Sequence, residues 1–290
     1  MTIAAGLIVS RFVHYAAVLA LFGLALFPLY AEAAQTQLQV WRWMLWAVVI
    51  ALLGSVPWLV FTAANMAGDM GSGLDWDTLE PVLFDTAFGS AWLARGALAL
   101  VLTGLLMLAP GARVLTMLLA AALLASLAAV GHTQQTEGGA YIVHLGADAL
   151  HLLAAGAWLG GLVALAYTLF HAGGDEEQIL MRFSGMGYVA VAVLVASGFL
   201  NGLYLVGTLD ALVGTPYGQL LLVKLGLFAG MLALALSNRF WLVPALKAGE
   251  PRTLARLRRH VMGEEALGLL VILVVSVLGT IEPAATRLGG

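Results

Sequence analysis

A chain of 290 residues that is 62% hydrophobic and 10% charged, with net charge -3 and mean hydropathy +0.98, is composed for lipid; a soluble domain carries roughly 25% charged residues. The lack of cysteine excludes a Cys-x-x-Cys-His haem attachment, a thiolate metal site, a disulfide framework and a cysteine nucleophile. The small net charge, with no basic arm or aromatic-basic platform, argues against nucleic acid as a partner.

Apolar runs of about 20 residues recur along the chain, the length a helix needs to cross a bilayer core. They predict an all-α integral membrane protein, a single domain over 1–290. It forms a bundle of eight transmembrane helices at approximately 7–30, 40–64, 88–109, 113–131, 143–170, 183–206, 218–243 and 261–281. Barrel strands would be about half as long and would alternate. The first run ends at Ala31-Glu-Ala33, which looks like a signal-peptide cleavage site. No Lys or Arg precedes that run, and Arg11 and His14 interrupt it, so it is read as a span. Arg11 and His14 share a face of that helix.

Between spans two and three, residues 66–87 carry Asp69, Asp75, Asp77, Glu80 and Asp85 with Met66 and Met70, and no basic residue. This is either a solvated acidic loop or a vestibule that concentrates cations. Arg95 lies in span three. The loop ahead of span five begins at Gly131-His132 and leads into His144.

Span five then holds the stretch around which the chain is organised, His144-Leu-Gly-Ala-Asp148-Ala-Leu-His151, followed by Trp158, Gly160 and Gly161. At about 100° per residue, Asp148 lies roughly 40° from His144 and His151 within about 20° of it. One face therefore carries two imidazoles and a carboxylate, and Trp158 is predicted to extend it. Ionisable groups at membrane depth are costly and are by default a hypothesis about function. Farther on, Asn201 falls in span six and Lys224 in span seven, while Thr215-Pro-Tyr-Gly218 is a turn sequence. Glu264 and Glu265 open span eight, either as an exit ligand for a cation or paired with Arg258 or Arg259.

Orientation follows from the basic residues. With both termini periplasmic, Arg42, Arg113, Arg182, Arg239, Lys247, Arg252, Arg256, Arg258 and Arg259 fall on the cytoplasmic side, against Arg287 alone outside. His14, His132, His144 and His151 then lie in the outer half.

Histidine, methionine and carboxylate together suit copper, as Cu(I) or Cu(II). The candidate metal set is His14, His132, His144, Asp148 and His151, with Asp148 able to orient an imidazole. Met66, Met70, Asn201, Lys224, Glu264 and Glu265 are candidate pathway residues. The alternatives are histidines that merely bond helix to helix, and a haem b ligated by His14 and His151 with Arg11 or Arg95 near its propionates. Arg11, Arg95 and Lys224 equally fit basic chains that snorkel to the interface. With no nucleophile, no paired catalytic carboxylates and no Gly-x-x-x-x-Gly-Lys loop, nothing points to an enzyme or a self-contained ATP-driven pump.

The chain resembles the copper-resistance protein D (CopD) family. The resemblance rests on Arg11-Phe-Val-His14 with Leu21-Phe-Gly23, Gly131-His132, the run Asp148 to Gly161, and Ser197-Gly-Phe-Leu-Asn201. It continues through Thr215-Pro-Tyr-Gly218, Lys224, Asn238-Arg239-Phe240 with Pro244, and Glu265 with Leu278-Gly279, and is most specific over 144–279. It implies an eight-helix protein of the bacterial inner membrane, embedded in the lipid bilayer and associated with copper import or tolerance. It also implies a separate periplasmic copper-binding partner of the CopC type. The family's distant likeness to membrane b-type cytochromes keeps haem in view.

Overall fold

The computed structural model describes residues 2–31, 37–130, 139–171 and 176–285. Of the residues singled out above, Ala33, Gly131, His132 and Arg287 lie outside them. Among the described residues every regular element is helical. In order these are α1 (Ile3–Ala31), α2 (Gln37–Ala67), α3 (Trp76–Phe84), α4 (Ala87–Leu108), α5 (Arg113–Ala125), α6 (Gly139–Ala155), α7 (Gly161–His171), α8 (Glu176–Leu205), α9 (Leu209–Gly214), α10 (Pro216–Ser237), α11 (Val243–Lys247) and α12 (Thr253–Leu278). Two π-helical segments, Gly156–Gly160 and Asn238–Leu242, join α6 to α7 and α10 to α11 without breaking the rod.

Seven of these rods are long and apolar enough to cross a membrane: Ile3–Ala31, Val40–Ala67, Ala87–Leu108, Ala140–His171, Glu177–Leu205, Pro216–Lys247 and Thr253–Leu278. The predicted fourth span is the shorter helix Arg113–Ala129, α5 with a closing 3-10 turn. Side chains such as Trp46, Leu53, Leu100, Phe199 and Trp241 are exposed around the outside. An apolar surface this extensive is what lipid covers.

α1 runs through the middle, packed against α2, α5, α7, α12 and the first π segment, with Val18 and Leu21 fully buried. Small residues set that contact. A Cβ on Gly23 would collide with the backbone of Gly160, and one on Gly160 with the Leu19 carbonyl, so the two rods touch backbone to backbone. Without a hydrophobic drive between helices in lipid, such close approach supplies the packing energy.

Arginines tie helix ends together. Arg182 Nη1 donates to the Tyr30 carbonyl at 3.2 Å, and Arg258 donates through Nε and Nη2 to the Leu169 carbonyl at 2.9 and 2.7 Å. Arg11 donates to the Gly279 carbonyl. Each satisfies a carbonyl left over at a helix C-terminus, where cations are also favoured by the helix dipole. The start of α1 therefore lies beside the end of α12, and the end of α1 beside the start of α8.

The acidic segment after α2 is not loop throughout. It folds into a 3-10 turn, Gly71–Leu74, and then α3, whose Val82 and Leu83 are buried while Trp76 and Phe84 stay exposed. Asp69 shapes the turn by accepting from Ser72 N at 2.9 Å and Ser72 Oγ at 3.0 Å, bonds that hold its carboxyl below the usual range. Thr215 begins α10 as the turn sequence suggested: its Oγ1 accepts from Gly218 N at 3.0 Å and Pro216 opens the helix.

Candidate functional site

The ionisable face of α6 meets α8 rung by rung. The buried His144 ring stacks on Tyr204 with centroids 4.5 Å apart and planes 12° from parallel. Next along, Asp148 Oδ1 accepts from Asn201 Nδ2 at 3.1 Å. His151 Nδ1 then lies 3.0 Å from Ser197 Oγ. The two sets ascend in opposite senses at helical spacing, so one polar seam runs between antiparallel helices. Lys224 and Tyr217 of α10 interact electrostatically with Asp148, which brings a third helix to the seam.

The seam also assigns a tautomer. Ser197 has one hydroxyl proton and donates it to the Val193 carbonyl at 2.6 Å. Its oxygen must therefore accept from His151, which puts the imidazole proton on Nδ1 and leaves a lone pair on Nε2. An imidazole anchored through one nitrogen, so that the other can be presented to a metal, is the arrangement such a ligand needs.

Trp158 does not extend this face. The π segment adds a residue to the turn and redirects its ring to α10 and α12. There it packs edge-on against Phe228 at 5.8 Å and its side chain hydrogen-bonds Glu264. Glu264 is buried and also accepts from Asn238 Nδ2 at 2.6 Å, the first residue of the second π segment. Both π segments thus supply a donor to one carboxylate. Glu265 Oε2 is buried and without a partner, so neither glutamate pairs with Arg258, which is engaged at Leu169.

His14 belongs to a different neighbourhood. Its Nδ1 donates to the Ala51 carbonyl of α2 at 2.8 Å, and its ring lies 5.4 Å from that of Trp58. Arg95 of α4 is buried over the Trp58 ring at 4.9 Å, and Arg11 stands 5.7 Å from the same ring. His14, Trp58 and Arg95 border a cavity of about 10 Å³. Two guanidinium groups beside His14 make this a poor place for a cation.

The predicted set is thus divided. His144, Asp148 and His151 share the α6–α8 seam; His14 faces α2 and α4; His132 lies outside the described residues. Met66 and Met70 are exposed where α2 ends. Among the described residues no three His, Asp or Glu side chains stand close enough to hold a metal ion as a group. Haem gains no support here: His14 and His151 are anchored toward different helices, and the space beside His14 is the size of one water molecule. Tyr204, Ser197 and Asn201 share one face of span six at three- and four-residue spacing, a signal the sequence carried. Trp58 and Asn238 gave none.

The fold and seam define a multi-pass helical membrane protein with an ionisable groove inside it, and comparison with known proteins names its kind. Residues 1–142 match the family described as copper resistance protein D-like, N-terminal domain, and residues 177–278 match copper resistance protein D. The chain belongs to the copper resistance protein D family. It is 37% identical to copper resistance protein D of Pseudomonas syringae pv. tomato, over 95% of this chain and 96% of that one. It is 33% identical to the inner membrane protein YebZ of Escherichia coli, over 95% and 98%. With the copper transport protein CutJ of Bacillus subtilis it shares 32% identity, over 82% of this chain and 45% of CutJ. No solved structure gives a significant match.

Proposed function

We propose that this protein moves copper across the bacterial inner membrane, from the periplasm toward the cytoplasm, and that the α6–α8 seam is where the ion is bound. The observation that carries the reading is the seam itself: two imidazoles and a carboxylate, inside an apolar rod, each anchored by α8. His151 offers Nε2, and Asp148 offers a carboxylate oxygen held by Asn201. The names of the relatives from Pseudomonas and Bacillus support copper as the cargo, and that of YebZ supports the inner membrane.

In this reading the acidic segment with Met66 and Met70 faces the periplasm and receives copper from a separate CopC-like protein. Glu264 and Glu265 serve as ligands on the way in. The topology has eight crossings. Arg11, about two turns into α1, touches Gly279 at the end of α12, which supports an even number of crossings. Seven long rods plus Arg113–Ala129 satisfy that count; at 1.5 Å per residue the short helix spans roughly 25 Å, near the lower limit for a crossing.

Replacing His151 with alanine abolishes cellular copper accumulation while the protein remains at its normal level in the membrane. Whole-cell copper content beside an immunoblot checks this; undiminished accumulation would remove the seam from the transport path.

A further inference from the structure

The cavity between α1, α2 and α4 is lined by groups with hydrogen bonds to give. Arg95 Nη1 and Nη2 and Trp58 Nε1 are buried and have no acceptor, and Arg11 Nε close by is in the same state. Trp92 is already engaged with the Ser55 carbonyl at 2.9 Å. Almost every buried donor in a folded protein finds a partner, so three unmet donors around one small space call for a ligand. The space, about 10 Å³, admits one particle the size of a water molecule or a halide.

Charge decides between them. Arg95 and Arg11 both approach Trp58, and among the described residues no carboxylate lies within ion-pairing distance of either. Arg95 is only 3% exposed, within a helix that crosses lipid. A water molecule would satisfy the hydrogen bonds and leave the guanidinium charge uncompensated in a medium that penalises bare charge heavily. An anion satisfies both requirements.

We propose that Arg95 and Trp58 form a binding site for a single small monovalent anion of halide size, separate from the seam that binds copper. His14 borders the cavity with its Nδ1 committed to the Ala51 carbonyl.

The test uses the full chain purified in detergent, with sodium bromide replacing sodium gluconate at constant ionic strength and thermal unfolding as the readout. A ligand that binds only the folded state raises its stability in a saturable way. Bromide stabilises the wild type. Trp58→Phe keeps the ring and removes the N–H; it weakens the apparent bromide affinity about tenfold, as loss of one hydrogen bond to a charged partner does. Arg95→Gln abolishes the response; should that variant fail to fold, Trp58→Phe carries the test. Equal stability in bromide and gluconate means water alone fills the cavity and overturns the site. An unchanged response in Trp58→Phe places any halide effect elsewhere and overturns it as well.

Discussion

His151 can serve a metal only through Nε2, because Nδ1 is committed to Ser197. In the proposed site Ser197 is then a positioning residue, and its loss leaves the His151 ring in place but free to rotate. Ser197→Ala should weaken copper binding by the purified protein roughly 10- to 100-fold, the usual cost of removing the partner that orients a metal-bound imidazole. An affinity equal to wild type would show that the ring is held by packing alone. Asp148 and Lys224 form the charge pair of the same seam. Either Asp148→Asn or Lys224→Met alone strands a charge in the bundle, whereas the two together remove both. The double variant should unfold at a higher temperature than either single one; additive losses would mean that the groups do not compensate each other. The α6 half of this seam was legible in the sequence because three ionisable residues at helical spacing stand out in an apolar run. The α8 half was harder to see, since serine, asparagine and tyrosine are ordinary residues of membrane helices and acquire meaning only from what they face.

At the scale of the element, most helices could be read from hydropathy, and the departures have physical causes. α3 was hidden because its segment is acidic and contains Pro81, so composition read as loop, although Val82 and Leu83 give it a buried edge. The π segments were hidden because one extra residue in a turn leaves hydropathy untouched; the first nevertheless moves Trp158 from the α8 side to Glu264. Such insertions tend to occur at functional places, and here both feed the same carboxylate. The first also brings Gly160 against Gly23, where no side chain fits. Gly160→Leu should therefore destabilise the protein by at least the 1–3 kcal/mol typical of overpacking. The collision is with backbone, which cannot swing aside. Thermal unfolding in detergent checks this, and a melting temperature equal to wild type would mean that α1 and the π segment are not in backbone contact in the membrane.

For the whole molecule, nine basic residues gathered toward one side predict the sign of the topology, and one contact, Arg11 with Gly279, supports an even number of crossings. The element in doubt is Arg113–Ala129, whose 17 residues barely reach across. If it failed to cross, every later segment would change sides: the loop after α11 would face the periplasm and α12 would end in the cytoplasm. That arrangement would carry Arg252, Arg256, Arg258 and Arg259 outward against the positive-inside tendency, and would separate Arg11 from Gly279 by the thickness of the bilayer. Because the chain has no cysteine, single cysteines report position without background. Asp75→Cys, ahead of the short helix, and Thr208→Cys, after it, should both react with a membrane-impermeant thiol reagent applied to cells with a permeabilised outer membrane. Gly111→Cys and Glu250→Cys should react only once the inner membrane is opened. Reaction of Glu250→Cys from outside, with Asp75→Cys also labelled, would mean that Arg113–Ala129 turns back, and that the polar seam on α6 and α8 opens toward the cytoplasm instead of the periplasm.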